Sequence, residues 1–216
     1  MILTGFEGYG GRGINPAEEV IKALDGEVVA GAAVSGHVLP VAYTDLRQRL
    51  HGIVGEDRPE AVIALGLWPG ETVIRLERVA VNVNAFEIPD NEGTLDNGPV
   101  VEGGTLAYPA TLPLEEIQGR LLAADIPARL SSSAGNFLCN ATMYCLLEAV
   151  ERAGLNIPCG FIHLPYLPAQ VAGIIAGLRT GHAMELHQRA DLASMSLEAM
   201  VKAVRIAIET AVERRR

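Results

Sequence analysis

The sequence is poor in the features that mark several large protein classes. It has only three cysteines, Cys139, Cys145 and Cys159. So small and odd a number excludes a disulfide framework, and their positions lack the paired spacing of a zinc site. Basic residues are also few, with 17 Lys and Arg against 26 Asp and Glu and a formal charge of −9. The one basic cluster is Arg214-Arg215-Arg216. A sustained cationic surface is therefore missing, which argues against nucleic acid as a partner. No stretch approaches the roughly 20 apolar residues of a membrane span. The opening Met1-Ile-Leu-Thr-Gly-Phe-Glu has no basic n-region, long apolar h-region or small-residue cleavage site, so a soluble, cytoplasmic protein is expected. Asn140-Ala-Thr142 has the form of a glycosylation acceptor, read as chance without an export signal. Internal repeats, linkers and low-complexity segments are lacking too.

What is there suits one compact domain spanning 1–216: 49% of the residues are hydrophobic and 23 are glycine. Ile2-Leu-Thr-Gly reads as a short strand running into the glycine-rich turn Gly5 to Gly11. Asn15 as N-cap, Pro16 at N1 and Glu18 at N3 mark a helix start, with Val20, Ile21 and Leu24 as its apolar stripe and Gly26 as its end. Strands are predicted at Val38–Val41 and Ala61–Leu67, with a helix over Thr44–Val54 between them. Val73 to Asn84 reads as one longer strand or hairpin arm, followed by a Gly-, Pro-, Asn- and Asp-rich stretch to Pro113. A loop that long is uncommon and often functional. Beyond it come a helix near Leu114–Ala124, a strand near Pro127–Ser131, an almost wholly apolar helix from Asn136 to about Ala153, a strand over Ile157–Leu164, and helices at Gln170–Leu178 and around Leu197–Val212. The alternation predicts an α/β fold, a mostly parallel central sheet with helices on its faces.

Cys139 stands where a Ser/Gly-rich turn opens the apolar helix, within the first turn, where unpaired amides and the helix dipole favour a thiolate. Cysteine is also among the most buried residue types, so its position alone leaves packing open. Cys145 and Cys159 read as packing residues. His163 sits at the C-terminal end of a buried strand, where functional groups of α/β sheets gather, although a hydrogen-bonded core histidine fits there as well. His37, His51, His182 and His187 have polar or solvent-facing contexts. Period-two counting puts Glu77 on one face with Val73, Val79, Val81 and Val83, and a carboxylate there needs a partner. Arg75 can be that partner in a structural ion pair, or Glu77 can fix the tautomer of His163. The turn Gly5 to Gly11 lacks both the dinucleotide pattern and the P-loop lysine, which leaves nucleoside or phosphate chemistry as a rival reading.

Thr4-Gly-Phe-Glu-Gly-Tyr-Gly-Gly11, Ile14-Asn-Pro16, Leu76-Glu-Arg-Val-Ala-Val-Asn82, Ile88-Pro-Asp-Asn-Glu-Gly93, Ser133-Ala-Gly135 with Cys139-Asn140, and Phe161-Ile-His-Leu-Pro165 occur in that order. Together they make the sequence resemble the pyroglutamyl peptidase I family over nearly its whole length. The resemblance implies cleavage after an N-terminal pyroglutamyl residue, with Cys139 as nucleophile, His163 as general base and acid, and Glu77 orienting His163. It implies an α/β sandwich with a twisted sheet, no metal or cofactor, and a homo-oligomer, tetramer or dimer. It assigns ring binding to Phe6, Tyr9, Ile88 and Phe137 and loop bracing beside them to Asn15. A pyroglutamyl ring has no free amine, so apolar walls with one donor and one acceptor suffice to hold it. Glu71 and Glu87 stand where the family usually has arginine, and Tyr9 where it has phenylalanine. The glutamates are expected to reverse local charge and tune activity. They also suggest a rival reading, a catalytically silent pyroglutamyl- or peptide-binding protein.

Overall fold

The computed structural model of the chain describes residues 1–9, 13–178 and 192–214. His182, His187, the end of the glycine-rich turn and Arg215-Arg216 lie outside them. The elements in order are β1 (Ile2–Phe6), α1 (Pro16–Leu24), β2 (Val28–Val29), β3 (Ala32–Ala33), β4 (Ser35–Leu39), α2 (Leu46–Asp57), β5 (Val62–Leu67), β6 (Ile74–Glu77), β7 (Val79–Val81), β8 (Ala107–Pro109), α3 (Leu114–Ala123), β9 (Ala128–Ser131), α4 (Leu138–Arg152), β10 (Cys159–Leu164), α5 (Pro168–Leu178) and α6 (Leu197–Glu213).

Six strands form the central sheet in the order β4-β1-β5-β10-β6-β9. All neighbours are parallel except β10 and β6. Alternation along the strands divides the core. Ile2, Phe6, Ala64 and Phe161 face one layer; Leu3, Ile63, Leu65 and Ile162 face the other. Helices α2 and α4 cover the first face, and α1, α3 and α6 the second. A sheet buried on both sides explains why its inner strands read as continuous apolar runs. Each fully buried Leu or Ile there contributes about 1.5–3 kcal/mol of burial energy. The fold is thus the expected single-domain α/β sandwich. No helix among the described residues is long and apolar enough to cross a membrane.

Helix α1 starts as its sequence signals: the Asn15 side chain accepts from the Ala17 amide and Pro16 opens the helix, which ends before Gly26 at φ 78°. Other boundaries depart from expectation. The predicted Val38–Val41 strand runs instead over Ser35–Leu39, anchored where the Ser35 amide donates to the Met1 carbonyl. As an edge strand it leaves Val38 exposed, so its alternation is weak. The single arm predicted from Val73 to Asn84 is broken at Arg78. There β6 leaves the central sheet, and β7 pairs antiparallel with β8 in a separate ribbon. Period-two counting therefore fails across the break: Val79 and Val81 are half-buried, Val83 is exposed, and Ala80 is the buried residue of β7. Within β6, Arg75 and Glu77 still share a face, and all four residues are buried. The hairpin of β2 and β3, turning at Ala30 and Gly31 with φ 49° and 81°, is an element the sequence reading did not include.

Candidate active site

His163 is the penultimate residue of β10 and almost wholly buried. Because β6 runs antiparallel beside it, Arg75 lies directly opposite His163 and Glu77 opposite Phe161. The Glu77 carboxylate reaches diagonally to His163, with Oε1 2.9 Å from Nδ1. A carboxylate only accepts, so Nδ1 carries the proton and Nε2 is left with a free lone pair. Burial alone would raise the Glu77 carboxyl, but the bonds from His163 and Ser131 and the charge of Arg75 hold it below its ordinary value. Burial also pushes the imidazole below its ordinary value, against the pull of Glu77. His163 Nε2 is buried and has no hydrogen-bond partner among the described residues.

Cys139 occupies the second position of α4, two residues after its N-cap Phe137. The helix begins later than the Asn136 predicted, and Phe137 offers no side-chain cap, so the first amides are not capped by the helix's own start. Asn140 pins this end to the chain at β7: its Oδ1 accepts from the Val81 amide at 2.9 Å, and its Nδ2 donates to the carbonyls of Val81 at 2.8 Å and Val83 at 3.1 Å. Opposite the sulfur is Gly66 of β5. A Cβ at that position would lie 2.8 Å from Cys139 Sγ and 2.8 Å from Cζ of Phe161. A glycine inside a buried strand is the sequence signal of such close approach, and it was there to be read.

The surroundings of Cys139 work against the thiolate that helix position favours. Burial pushes the Cys139 thiol up to about 12, and the negative charge of Glu77 adds to the rise. A cationic imidazole would offset this, but burial keeps His163 neutral. Desolvation and the helix terminus pull in opposite directions here.

Cys139 and His163 line one cavity of about 310 Å³. Phe6, Tyr9, Asn15, Ile88 and Phe137, the five residues expected around a ring, line it too. The walls are mainly apolar, with aromatic rings among them: Tyr9 lies 6.0 Å from Phe137, centroid to centroid, and Phe86 packs behind Phe137 at 4.6 Å. Asn15 spends its polar ends locally, donating to the Glu7 carbonyl at 2.8 Å and capping α1, so it braces the loop. Two loops close the cavity's roof. The Tyr9 hydroxyl donates to the Pro89 carbonyl at 2.9 Å, and Asn91 Nδ2 donates to the Gly8 carbonyl at 3.1 Å. Trp68, which the sequence did not single out, forms another wall, its ring edge-on to His163 at 5.0 Å.

The pyroglutamyl peptidase family model matches residues 1–214. The chain belongs to the pyroglutamyl peptidase family. It is 40% identical over 214 residues to the pyrrolidone-carboxylate peptidase of Pyrococcus furiosus, covering 99% of this chain and 98% of that protein. It is 37% identical over 216 residues to pyrrolidone-carboxylate peptidase 1 of Ralstonia nicotianae, covering 99% and 93%. A solved structure of pyrrolidone carboxyl peptidase from Pyrococcus furiosus superposes with a TM-score of 0.90 at 39% identity, over 99% of this chain and 98% of that one.

Against that family background, the two unusual glutamates fall in different settings. Glu71 is buried and does not reverse the local charge: Arg129 Nη2 lies 2.6 Å and Arg75 Nη1 3.5 Å from its Oε2. Burial opposes its ionisation, but Arg129 and the Thr72 amide hold the carboxyl below its ordinary value. Glu87 is exposed, one residue before the cavity-lining Ile88. The choice left open for Glu77 resolves into both options at once, since Arg75 Nε donates at 3.1 Å to the same Oε1 that His163 uses.

Proposed function

We propose that this protein hydrolyses the bond after an N-terminal pyroglutamyl residue of peptides, using Cys139, His163 and Glu77 as nucleophile, base and orienting carboxylate. The observation that carries this reading is the buried, unpartnered Nε2 of His163 in the wall of the cavity that holds Cys139, with Nδ1 engaged by Glu77. Family membership supports the substrate class. The cavity's aromatic walls suit a lactam ring, and loop backbone supplies its donor and acceptor.

The pair rests as neutral thiol and neutral imidazole. As Sγ bonds to the carbonyl carbon after the ring, its proton passes to Nε2 and the imidazolium is stabilised by Glu77. The uncapped amides at the start of α4 receive the oxyanion. His163 then gives its proton to the leaving amine as the C–N bond breaks, forming a thioester. Water attacks that thioester, His163 takes a proton from the water, and the C–S bond breaks with return of the proton to sulfur. Phe6, Tyr9, Ile88 and Phe137 hold the ring, and Asn15 braces the loop that carries Tyr9. The same reading places the protein in the cytoplasm, where its three free thiols stay reduced, as a homodimer or homotetramer.

The test is hydrolysis of a pyroglutamyl coumarin amide, with prolyl and glutaminyl amides as controls. Cleavage confined to the pyroglutamyl amide and lowered roughly a thousandfold or more in Cys139→Ala is expected. A folded Cys139→Ala protein with full activity would sink the assignment.

A further inference from the structure

Arg75 has surroundings that an ordinary buried ion pair does not need. Its side chain is 8% exposed. Nε donates to Glu77 Oε1 at 3.1 Å, and Nη2 donates to Ser131 Oγ at 2.7 Å and to the Ser133 carbonyl at 2.8 Å. The guanidinium lies 3.7 Å over the ring of Trp68, which itself stands edge-on against His163. Across the strand pair, Arg75 is the residue directly opposite His163. A single cation thus touches the carboxylate, the aromatic wall and the loop leading to Cys139, and it faces the base.

We propose that Arg75 is a positioning residue for the reaction, acting through Glu77 and His163: it fixes Glu77 Oε1 behind the imidazole, ties that carboxylate to the loop before α4, and sets its own charge against the imidazolium. The proposal rests on the reading of His163 as the base. Three physical consequences follow from the geometry. Glu77 Oε1 is shared between two donors, so its whole acceptor strength is not given to Nδ1. Like charges directly opposite on paired strands repel, so a proton taken up by Nε2 is held less tightly and passes more readily to the leaving amine. The fork of bonds to Ser131 and Ser133 keeps the segment that leads to Ala134, Gly135 and Cys139 in register with Glu77.

The charges around the base come from every element packed against it. Glu77 and Arg75 belong to β6, Arg129 and the Ser131 hydroxyl to β9, Glu71 to the turn after β5, and the Cys139 thiol to α4; Phe161 and Trp68 are neutral walls. Burial dominates the lowering of the His163 proton affinity, Arg75 adds to it, and Glu77 and Glu71 oppose it. Glu71 is also the partner that, with Glu77, balances the buried guanidinium. Glu71 therefore serves as a counter-charge to Arg75.

The experiment compares wild type with Arg75→Gln, Arg75→Lys and Glu71→Gln, reading the pH profile of kcat/KM on a pyroglutamyl coumarin amide and an NMR titration of the His163 ring, assigned with His163→Asn. Arg75→Gln is expected to move the acid limb and the ring titration to higher pH and to lower kcat roughly 10- to 100-fold, the loss that displacing a catalytic group by up to ~1 Å brings. Arg75→Lys keeps the charge and should restore the acid limb toward wild type without restoring the bonds to Ser131 and Ser133. Glu71→Gln leaves the charge of Arg75 less balanced and should move both readouts to lower pH. A merely structural arginine would cost activity or melting temperature in both Arg75 variants with no shift of either limb, and that outcome overturns the proposal. If Arg75→Gln fails to fold, an unmoved titration in Glu71→Gln overturns it equally. The ring titration needs no turnover, so an active Cys139→Ala enzyme would end the nucleophile assignment while the titration still decides about Arg75.

Discussion

Gly66→Ala puts the smallest possible perturbation beside the nucleophile. The added Cβ would stand 2.8 Å from Cys139 Sγ, with Phe161 Cζ and Cε1 at 2.8 and 2.9 Å. Ordinary contact between such atoms is about 3.5–4.0 Å, so something must move by about 1 Å. The two candidates are the sulfur and the Phe161 ring, and that ring packs 4.7 Å from His163, centroid to centroid. Either response displaces a reacting group. Overpacking of this kind costs about 1–3 kcal/mol, which for a domain of this size lowers Tm by about 2–12 °C. A misplacement of about 1 Å costs roughly a hundredfold in rate. The assay is kcat/KM on a pyroglutamyl coumarin amide together with a thermal melt. Gly52→Ala in α2 is the control, since nothing lies within 4 Å of its added Cβ. It exchanges a poor helix former for a good one on an exposed face and should gain about 0.5–1 kcal/mol. Wild-type kcat/KM and Tm in Gly66→Ala would refute the claim that this strand position is shaped by the nucleophile.

Other perturbations reach the roof and the helix layer. Tyr9→Phe removes the bond to the Pro89 carbonyl, worth about 0.5–1 kcal/mol at an exposed position, and should raise KM about 2- to 5-fold with little change in kcat; unchanged KM in steady-state kinetics would count against the roof's part in binding. Glu148 ties α2 to α4, accepting from Arg47 at 2.7 Å through both Nε and Nη2, from Arg152 at 3.0 Å, and meeting His51 at 3.1 Å. The bonds from Arg47, ahead of the opposing effect of burial, hold its carboxyl below the ordinary value. The folded state therefore binds that proton less readily than the unfolded chain. Its contribution is full above the ordinary carboxylate value and is lost as pH falls through the lowered one. Glu148→Gln should lose about 1–2 kcal/mol at neutral pH, discounted because Arg47 and Arg152 are partly exposed, and should show a flatter fall of Tm toward acid in melts across pH; an acid limb as steep as wild type would contradict this.

Much of the fold was legible because local and tertiary preferences agree. Asn15-Pro16 starts α1 through bonds that need only neighbouring residues, and β5 and β10 are apolar runs because the sheet is covered on both faces. The residues of the site were legible for another reason. Four of the five expected ring-site positions, all but Phe137, and the site's three polar groups lie in short motifs shared with a family, so resemblance supplied what periodicity could not. What stayed hidden depended on strand partners. Nothing local to Val73–Asn84 says that the chain leaves one sheet for another at Arg78, or that β6 sits between β10 and β9, antiparallel to the first and parallel to the second. That insertion alone puts Arg75 opposite His163 and lets Glu77 serve both. The setting of Cys139 was hidden for a related reason. Helix position is visible in sequence, whereas the depth at which the sheet and α4 enclose the sulfur is a property of the assembled layers.

The setting of Cys139 also bears on what the enzyme reacts with, since desolvation raises the proton affinity of its thiol and Glu77 adds to the rise. Peroxides and small electrophiles attack the thiolate, the form that this setting disfavours. Generic alkylating reagents should therefore label Cys139 slowly, while electrophiles built on a lactam ring, delivered by the aromatic walls to the sulfur and to the waiting lone pair of His163, should label it fast. Selectivity among covalent inhibitors then comes from the shape that brings the warhead in.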